Sequence, residues 1–186
     1  MEENNVNEAA GAETKVKKSN KGLIIGLGVA LVAVIAIVIV LVLTLGGSKK
    51  EITGAQFKER LENLEWEVYD YSSLMQLNTS EEVEGMKEMF MASKDDSMAM
   101  FVTYEEEEKA KDYYKTSIED FEKTVEGEDG LKTVKSKGGN YESIFISGEA
   151  DGEEGYVKFS RVGKTVLVIE TQDKEVYEKA DKAIGY

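Results

Sequence analysis

An uninterrupted apolar run at residues 23–45 is the feature that most constrains this chain. It holds 23 residues without a charge, and only two glycines and one threonine interrupt its aliphatic side chains. A helix of this length reaches about 34 Å, enough to cross the hydrocarbon core of a bilayer. A cleaved signal peptide has a shorter apolar region that ends in small residues, whereas this run ends in Leu43, Thr44 and Leu45. The run therefore predicts one transmembrane helix, retained as a signal anchor.

The flanking charges predict the orientation of that helix. Four lysines precede it closely, Lys15, Lys17, Lys18 and Lys21, whereas Lys49 and Lys50 follow it. Because cytoplasmic flanks are enriched in basic residues, we expect the N-terminus in the cytoplasm and the C-terminal domain outside the membrane. Residues 1–22 are polar and show no apolar period, which predicts a disordered cytoplasmic tail. The composition of residues 46–50 predicts a flexible linker.

Small residues recur at every fourth position where the apolar run begins. Gly22, Gly26 and Ala30 would lie along one stripe of the helix, which lets two helices approach closely. Small residues are also common in membrane helices that do not associate. The stripe is compatible with a homodimer and does not require one.

Composition limits what residues 51–186 can do. The chain contains no histidine, cysteine or proline, which excludes imidazole catalysis, disulfides and zinc sites built from histidine or thiolate ligands. Residues 1–50 hold six lysines and four glutamates, which leaves 17 basic and 33 acidic residues in 51–186, a net charge of −16. A surface this acidic repels phosphate backbones, so nucleic acid is not an expected partner.

The patterning of residues 51–186 predicts one α+β domain with elements in the order α-βββ-α-βββ-α. Thr53 with Gln56, and Thr103 with Glu106, have the spacing of capping boxes at two helix starts, and Gly185 suits a C-cap. Strands are predicted at 66–71, in a hairpin over 86–104, and at 141–147, 156–161 and 165–171. Glycines between residues 127 and 139 predict a loop. We expect a mainly antiparallel sheet with the long second helix packed on it.

Methionines concentrate in the predicted hairpin. Pairing Lys94 with Ser97 across a turn at Asp95 and Asp96 gathers four of them on one face. These four are Met89, Met91, Met98 and Met100. Thioethers are soft ligands that select copper(I), so a copper-handling envelope protein is one alternative. Ordinary packing is the other, since methionine fills gaps in cores and Val102 shares the face.

Tyr69 and Tyr71 are the candidate partner-binding residues. They share one face of their predicted strand, opposite Trp66 and Val68. Tyrosine pairs anchor protein interfaces, and they also line the margins of cores, so both interpretations remain open.

No residue is predicted to be catalytic, cofactor-binding or metal-binding. An enzyme without histidine and cysteine would depend on carboxylates, as glycosidases do, and the many acids do not single out one pair. The acidic runs at residues 105–108 and 149–154 lack the ligand spacing of an EF-hand. A carboxylate-based hydrolase therefore stays an alternative without nominated residues.

Four segments resemble a known group of proteins. They are the lysines before Gly22-Leu23-Ile24-Ile25-Gly26, the stretch Ile52-Thr53-Gly54-Ala55-Gln56-Phe57, residues 105–114, and Ala183-Ile184-Gly185-Tyr186. The chain resembles a loose group of small membrane-anchored or lipoprotein ectodomains from clostridia and related Gram-positive bacteria. The resemblance implies a location in the cell envelope and carries over no site residues. Lipid-anchored members use a cysteine that this chain lacks.

The sequence thus predicts a single-pass envelope protein whose acidic extracytoplasmic domain is a non-catalytic binding module. Its expected partner is a protein or peptide near the outer membrane surface, because no catalytic motif is present and the predicted tether is short.

Overall fold

The computed structural model describes residues 47–75, 83–126, 130–150 and 153–186. The predicted tail at 1–22, the predicted span at 23–45 and the stripe of Gly22, Gly26 and Ala30 lie outside the described residues. Within the described ranges, no helix combines the length and the apolar character that crossing a membrane requires.

The described residues contain four helices and seven strands. The helices are α1 (Gly54–Glu62), α2 (Ser72–Met75), α3 (Glu107–Thr124) and α4 (Lys174–Ile184). The strands are β1 (Glu67–Asp70), β2 (Met86–Lys94), β3 (Ser97–Tyr104), β4 (Lys132–Lys137), β5 (Tyr141–Ala150), β6 (Glu153–Val162) and β7 (Thr165–Thr171). All seven strands form one antiparallel sheet in the order β1-β2-β3-β7-β6-β5-β4, so β1 and β4 are its edges.

The predicted α+β class and antiparallel sheet are confirmed, whereas the predicted order of elements is wrong in two places. The single turn α2 was not expected, and β4 occupies residues that were predicted to be a loop. β4 has one apolar residue, Val134, among lysines and hydroxyl side chains, so it lacks the alternation that marks a half-buried strand. It forms because β5 offers a complete ladder from Lys132 to Lys137, and its lysines are typical of an edge strand.

Both faces of the sheet are covered by helices. On one side, α1 and α4 pack on the sheet, and we call this side the α1–α4 face. The buried residues there include Phe57 and Leu61 of α1 and Phe101 and Leu167 of the sheet. On the other side, α3 packs against β3, β6 and β7 over a second buried cluster that includes Val102, and we call this side the α3 face. The predicted packing of the long helix on the sheet is therefore confirmed.

The β2–β3 hairpin has the predicted register. Lys94 pairs with Ser97 and Met91 pairs with Met100, so the turn lies at Asp95 and Asp96 as expected. Asp95 has a φ of 50°, in the left-handed region that aspartate tolerates better than most residues. Because side chains alternate along a strand, this register assigns the methionines to the α3 face and Phe90 to the α1–α4 face.

Helix caps agree with the sequence at two of three sites. Thr53 and Gln56 form a complete capping box at α1, and Gly185 ends α4 in the left-handed conformation at φ 76°. The capping box predicted at Thr103 is wrong, because Thr103 belongs to β3 and its hydroxyl donates to Glu88 Oε2 at 3.1 Å. The helix α3 begins after Glu106, which makes no side-chain capping hydrogen bond.

The segment before α1 is bound to the β4–β5 turn. The Lys49 N–H donates to Asn140 Oδ1 and Asn140 Nδ2 donates to the Lys49 carbonyl, both at 2.8 Å. The Lys49 ammonium lies 4.8 Å from the centre of the Tyr141 ring. These contacts give Lys49, near the end of the linker predicted at residues 46–50, a partner in the domain. Composition carries no information about an amide partner 91 residues away.

Candidate functional site

The α3 face continues beyond the helix that covers it. Met89 and Met100 pack with the cluster under α3, and the Tyr113 hydroxyl lies 3.8 Å from Met100 Sδ. Towards β1 the face becomes accessible, where Tyr69 is 50% exposed and Met98 is 41% exposed. Met91 is partly buried and pairs with both Tyr69 and Met100. We call the area formed by Tyr69, Met91 and Met98 the open face.

β1 divides its side chains between the two faces as the sequence predicted. Trp66, which directly precedes β1, is buried in the core on the α1–α4 face, and Val68 packs against that core. The Tyr69 hydroxyl donates to Glu67 Oε2 at 2.7 Å, and this hydrogen bond raises the pKa of Tyr69. Tyr71 is only partly buried, and its N–H donates to the Met89 carbonyl at 2.8 Å. Of the two candidate tyrosines, Tyr69 is the one that presents its ring to solvent.

The four candidate copper ligands lie on the α3 face but differ in environment. Met89 and Met100 pack with the core cluster, Met91 is partly buried, and only Met98 is exposed. Among the acidic residues of the described ranges, no three converge as a metal site requires. Packing therefore accounts for half of the methionine cluster without a metal.

Acidic groups surround the open face. Glu67 pairs with Ser93 and Glu170 pairs with Met98, which assigns both carboxylates to the same side of the sheet as Tyr69. The turn residues Asp95 and Asp96 are exposed at one end. The neighbouring Lys94 is engaged elsewhere, since its ammonium donates to the Leu64 carbonyl at 2.7 Å. The rim of the open face is therefore negative.

A second polar cluster surrounds Arg161, which is only 3% exposed. Its guanidinium donates to Glu107 Oε1 at 3.1 Å, to the Gly163 carbonyl at 3.0 Å and to Glu142 Oε1 at 3.5 Å. This cluster was not predicted from the sequence. The available signal was that β6 places two cations, Lys158 and Arg161, among core residues.

A groove of about 450 Å³ lies between α3 and the β4–β5 hairpin, next to that cluster. Its wall includes Tyr114, Ile118, Lys135 and Glu142. Burial raises the pKa of Glu142, but the Lys137 ammonium and the Arg161 guanidinium outweigh burial and hold this pKa below its usual range. A general acid needs a raised pKa, so Glu142 does not favour the hydrolase alternative.

Replacing Glu142 with glutamine is expected to lower the free energy of unfolding at neutral pH by about 1–2 kcal/mol, because two cationic partners lose a charged acceptor. A lowered folded-state pKa stabilises the fold above the unfolded-state pKa, and this contribution is lost as pH falls through the folded-state value. Urea unfolding of both proteins over a pH series measures the difference in their free energies of unfolding. The control is Glu119→Gln, at an exposed position of α3. A difference that stays constant into the acid range would contradict the ion pair.

The chain matches no protein-family model, no curated protein and no solved structure. The open face, its acidic rim and the edge strand beside it are the features of the described residues that bear on function.

Proposed function

We propose that the chain is a single-pass protein of the cell envelope whose α+β domain binds a basic protein or peptide partner and catalyses no reaction. The observation that carries this proposal is the open face, where Tyr69 and Met98 are exposed within an acidic rim. In the described residues the other large exposed apolar side chains are Leu74 and Val134. Exposed tyrosine and methionine side chains are enriched in protein interfaces, which supports a contact at this site.

Electrostatics favours a basic partner. Residues 51–186 carry a net charge of −16, and the acids Glu67, Glu170, Asp95 and Asp96 flank the open face. Such a field steers cationic partners towards the site at a rate that falls with ionic strength. The same field opposes contact with anionic lipid and anionic wall polymers.

The proposed anchor would confine the domain close to the membrane surface. Asn140 fixes Lys49, so only residues 46–48 separate the fixed point from the end of the predicted span at Leu45. A short tether raises the effective concentration of the domain towards other proteins of the same membrane. The lysine bias around residues 23–45 and the resemblance to anchored ectodomains support this placement.

Chemical crosslinking in intact cells, followed by mass spectrometry, tests the binding function. We expect the native chain to capture a partner with a basic segment, and the variant Tyr69→Ser/Met98→Ser to lose it. The matched control is Val134→Ser, which removes a similarly exposed apolar side chain from β4. Equal capture by all three proteins, or no capture above an unrelated acidic domain on the same anchor, would overturn the proposal.

The proposed topology predicts that residue 73 is outside the cell and residue 19 inside. Because the chain has no cysteine, Ser73→Cys and Ser19→Cys each introduce a unique thiol, and Ser73 is exposed on α2. A membrane-impermeant maleimide should label Ser73→Cys in intact cells, and Ser19→Cys only after permeabilisation. The reverse pattern would show that the domain faces the cytoplasm.

A further inference from the structure

The two edges of the sheet differ in charge. β4 carries Lys132, Lys135 and Lys137, the residue type that natural proteins place on edges to prevent strand pairing. β1 carries Glu67 and Asp70 and has no lysine. An added strand with basic side chains is therefore repelled at β4 and attracted at β1.

Two residues of β1 direct their main-chain groups away from β2. The Tyr71 N–H donates to the Met89 carbonyl, so in an antiparallel ladder Tyr71, Tyr69 and Glu67 direct their main-chain groups towards β2. The alternating residues Val68 and Asp70 direct theirs away from β2. Within the described residues, no hydrogen bond occupies the main-chain N–H or C=O of either residue. This edge can accept a further strand.

We propose that the partner binds by strand addition, with an extended basic segment pairing along β1 next to the open face. This inference rests on the proposed binding function and specifies how the contact is made. Main-chain hydrogen bonds to Val68 and Asp70 provide the pairing, and alternate side chains of the segment lie beside Tyr69 on the α3 face. Lysine or arginine side chains of the segment that point to this face lie near Glu67 and the acidic rim. A second copy of the chain fits poorly, because its own β1 would add two further acids to an edge that already carries Glu67 and Asp70.

A pair of synthetic peptides tests strand addition on the full chain in a neutral detergent. The probe is an eight-residue peptide that alternates lysine and valine, with blocked termini. The control peptide keeps the four lysines and replaces two valines with proline, which keeps the charge and removes main-chain donors. We expect the control to bind about tenfold more weakly, since two or more hydrogen bonds are lost. Hydrogen exchange should slow at Val68 and Asp70 in the presence of the probe, and not along β4.

A substitution in β1 provides an independent test. Val68→Pro removes an N–H that points away from β2, and proline is tolerated at such edge positions. Val68→Thr is the matched control, because it keeps the N–H and a β-branched side chain. We expect Val68→Pro to weaken probe binding about tenfold relative to Val68→Thr. The unfolding temperatures of both variants establish whether β1 remains folded, and the exchange measurement on the native chain remains decisive if it does not.

The outcomes separate this inference from the proposed function. Slower exchange at Val68 and Asp70, together with weak binding of the control peptide, supports strand addition. Equal, salt-sensitive binding of both peptides without protection of β1 overturns strand addition and leaves a basic partner in place. Failure of both peptides to bind contradicts strand addition and also removes the electrostatic premise of the proposed function.

Discussion

Replacing Phe101 with alanine is expected to lower the free energy of unfolding by about 3–5 kcal/mol. Phe101 is fully buried in β3, and its ring stacks on Phe57 with centroids 5.1 Å apart. Removing the ring leaves a cavity between α1 and the sheet that the surrounding strands fill only in part. The effect is large because the α1–α4 face contains the larger of the two buried clusters.

Denaturation of the full chain in detergent measures this loss through the fluorescence of Trp66, which is buried and is the only tryptophan. The control is Val134→Ala at an exposed position of β4, where a change of about 0.5 kcal/mol or less is expected. Equal destabilisation by the two substitutions would show that Phe101 does not lie at the centre of a packed face.

Replacing Asp181 with alanine is expected to lower the free energy of unfolding by about 2–3 kcal/mol, because it leaves a buried ammonium without its carboxylate. The Lys158 side chain is 8% exposed and donates to Asp181 and to the main-chain oxygen of Tyr186. Burial and the charge of Lys158 lower the pKa of Lys49, and Asp181 opposes that shift. Without Asp181, two ammonium groups lose the carboxylate that compensates them.

The double variant Lys158→Met/Asp181→Ala distinguishes the effect of breaking the ion pair from the effect of losing the packing of Asp181. It is expected to be more stable than Asp181→Ala alone, because the uncompensated buried charge is gone and methionine has a similar volume. The same fluorescence-detected denaturation compares the variants. If the double variant is less stable than Asp181→Ala, the ammonium of Lys158 is not the cause of the destabilisation.

Much of the fold could be predicted from local patterns because the relevant interactions are local. The β2–β3 register follows from a turn at Asp95 and Asp96 with alternating side chains on either side, and the structure has the predicted pairs. Thr53 and Gln56 are three residues apart, so their capping box is visible in the sequence. β7 has the predicted bounds because Thr165–Thr171 is a continuous run of strand-favouring residues.

The features that were missed depend on partners distant in sequence. β4 is a strand only because β5 pairs with it, and its own residues have no apolar period. Arg161 looks like an ordinary strand cation until α3 brings Glu107 to it across 54 residues. Asn140 gives no sign that it binds the main chain of Lys49.

The candidate site was predictable only in part, because local patterns assign side chains to faces but do not show what covers each face. Strand alternation put Tyr69 opposite Trp66, and the hairpin register put four methionines on one side. Local patterning could not show that Met89 and Met100 pack with the core under α3 while Tyr69 and Met98 stay exposed. Nor could it identify β1 as an edge, which depends on the order of all seven strands.

Site-specific photocrosslinking in intact cells tests the central claim most directly. A benzoylphenylalanine introduced in place of Tyr69 reports on the open face, and one in place of Val134 reports on an equally accessible position of the opposite edge strand. A contact at the open face predicts a discrete crosslinked partner from position 69, lost at high salt, and none from position 134. The same partners from both positions, or none from position 69, would contradict a binding site at the open face.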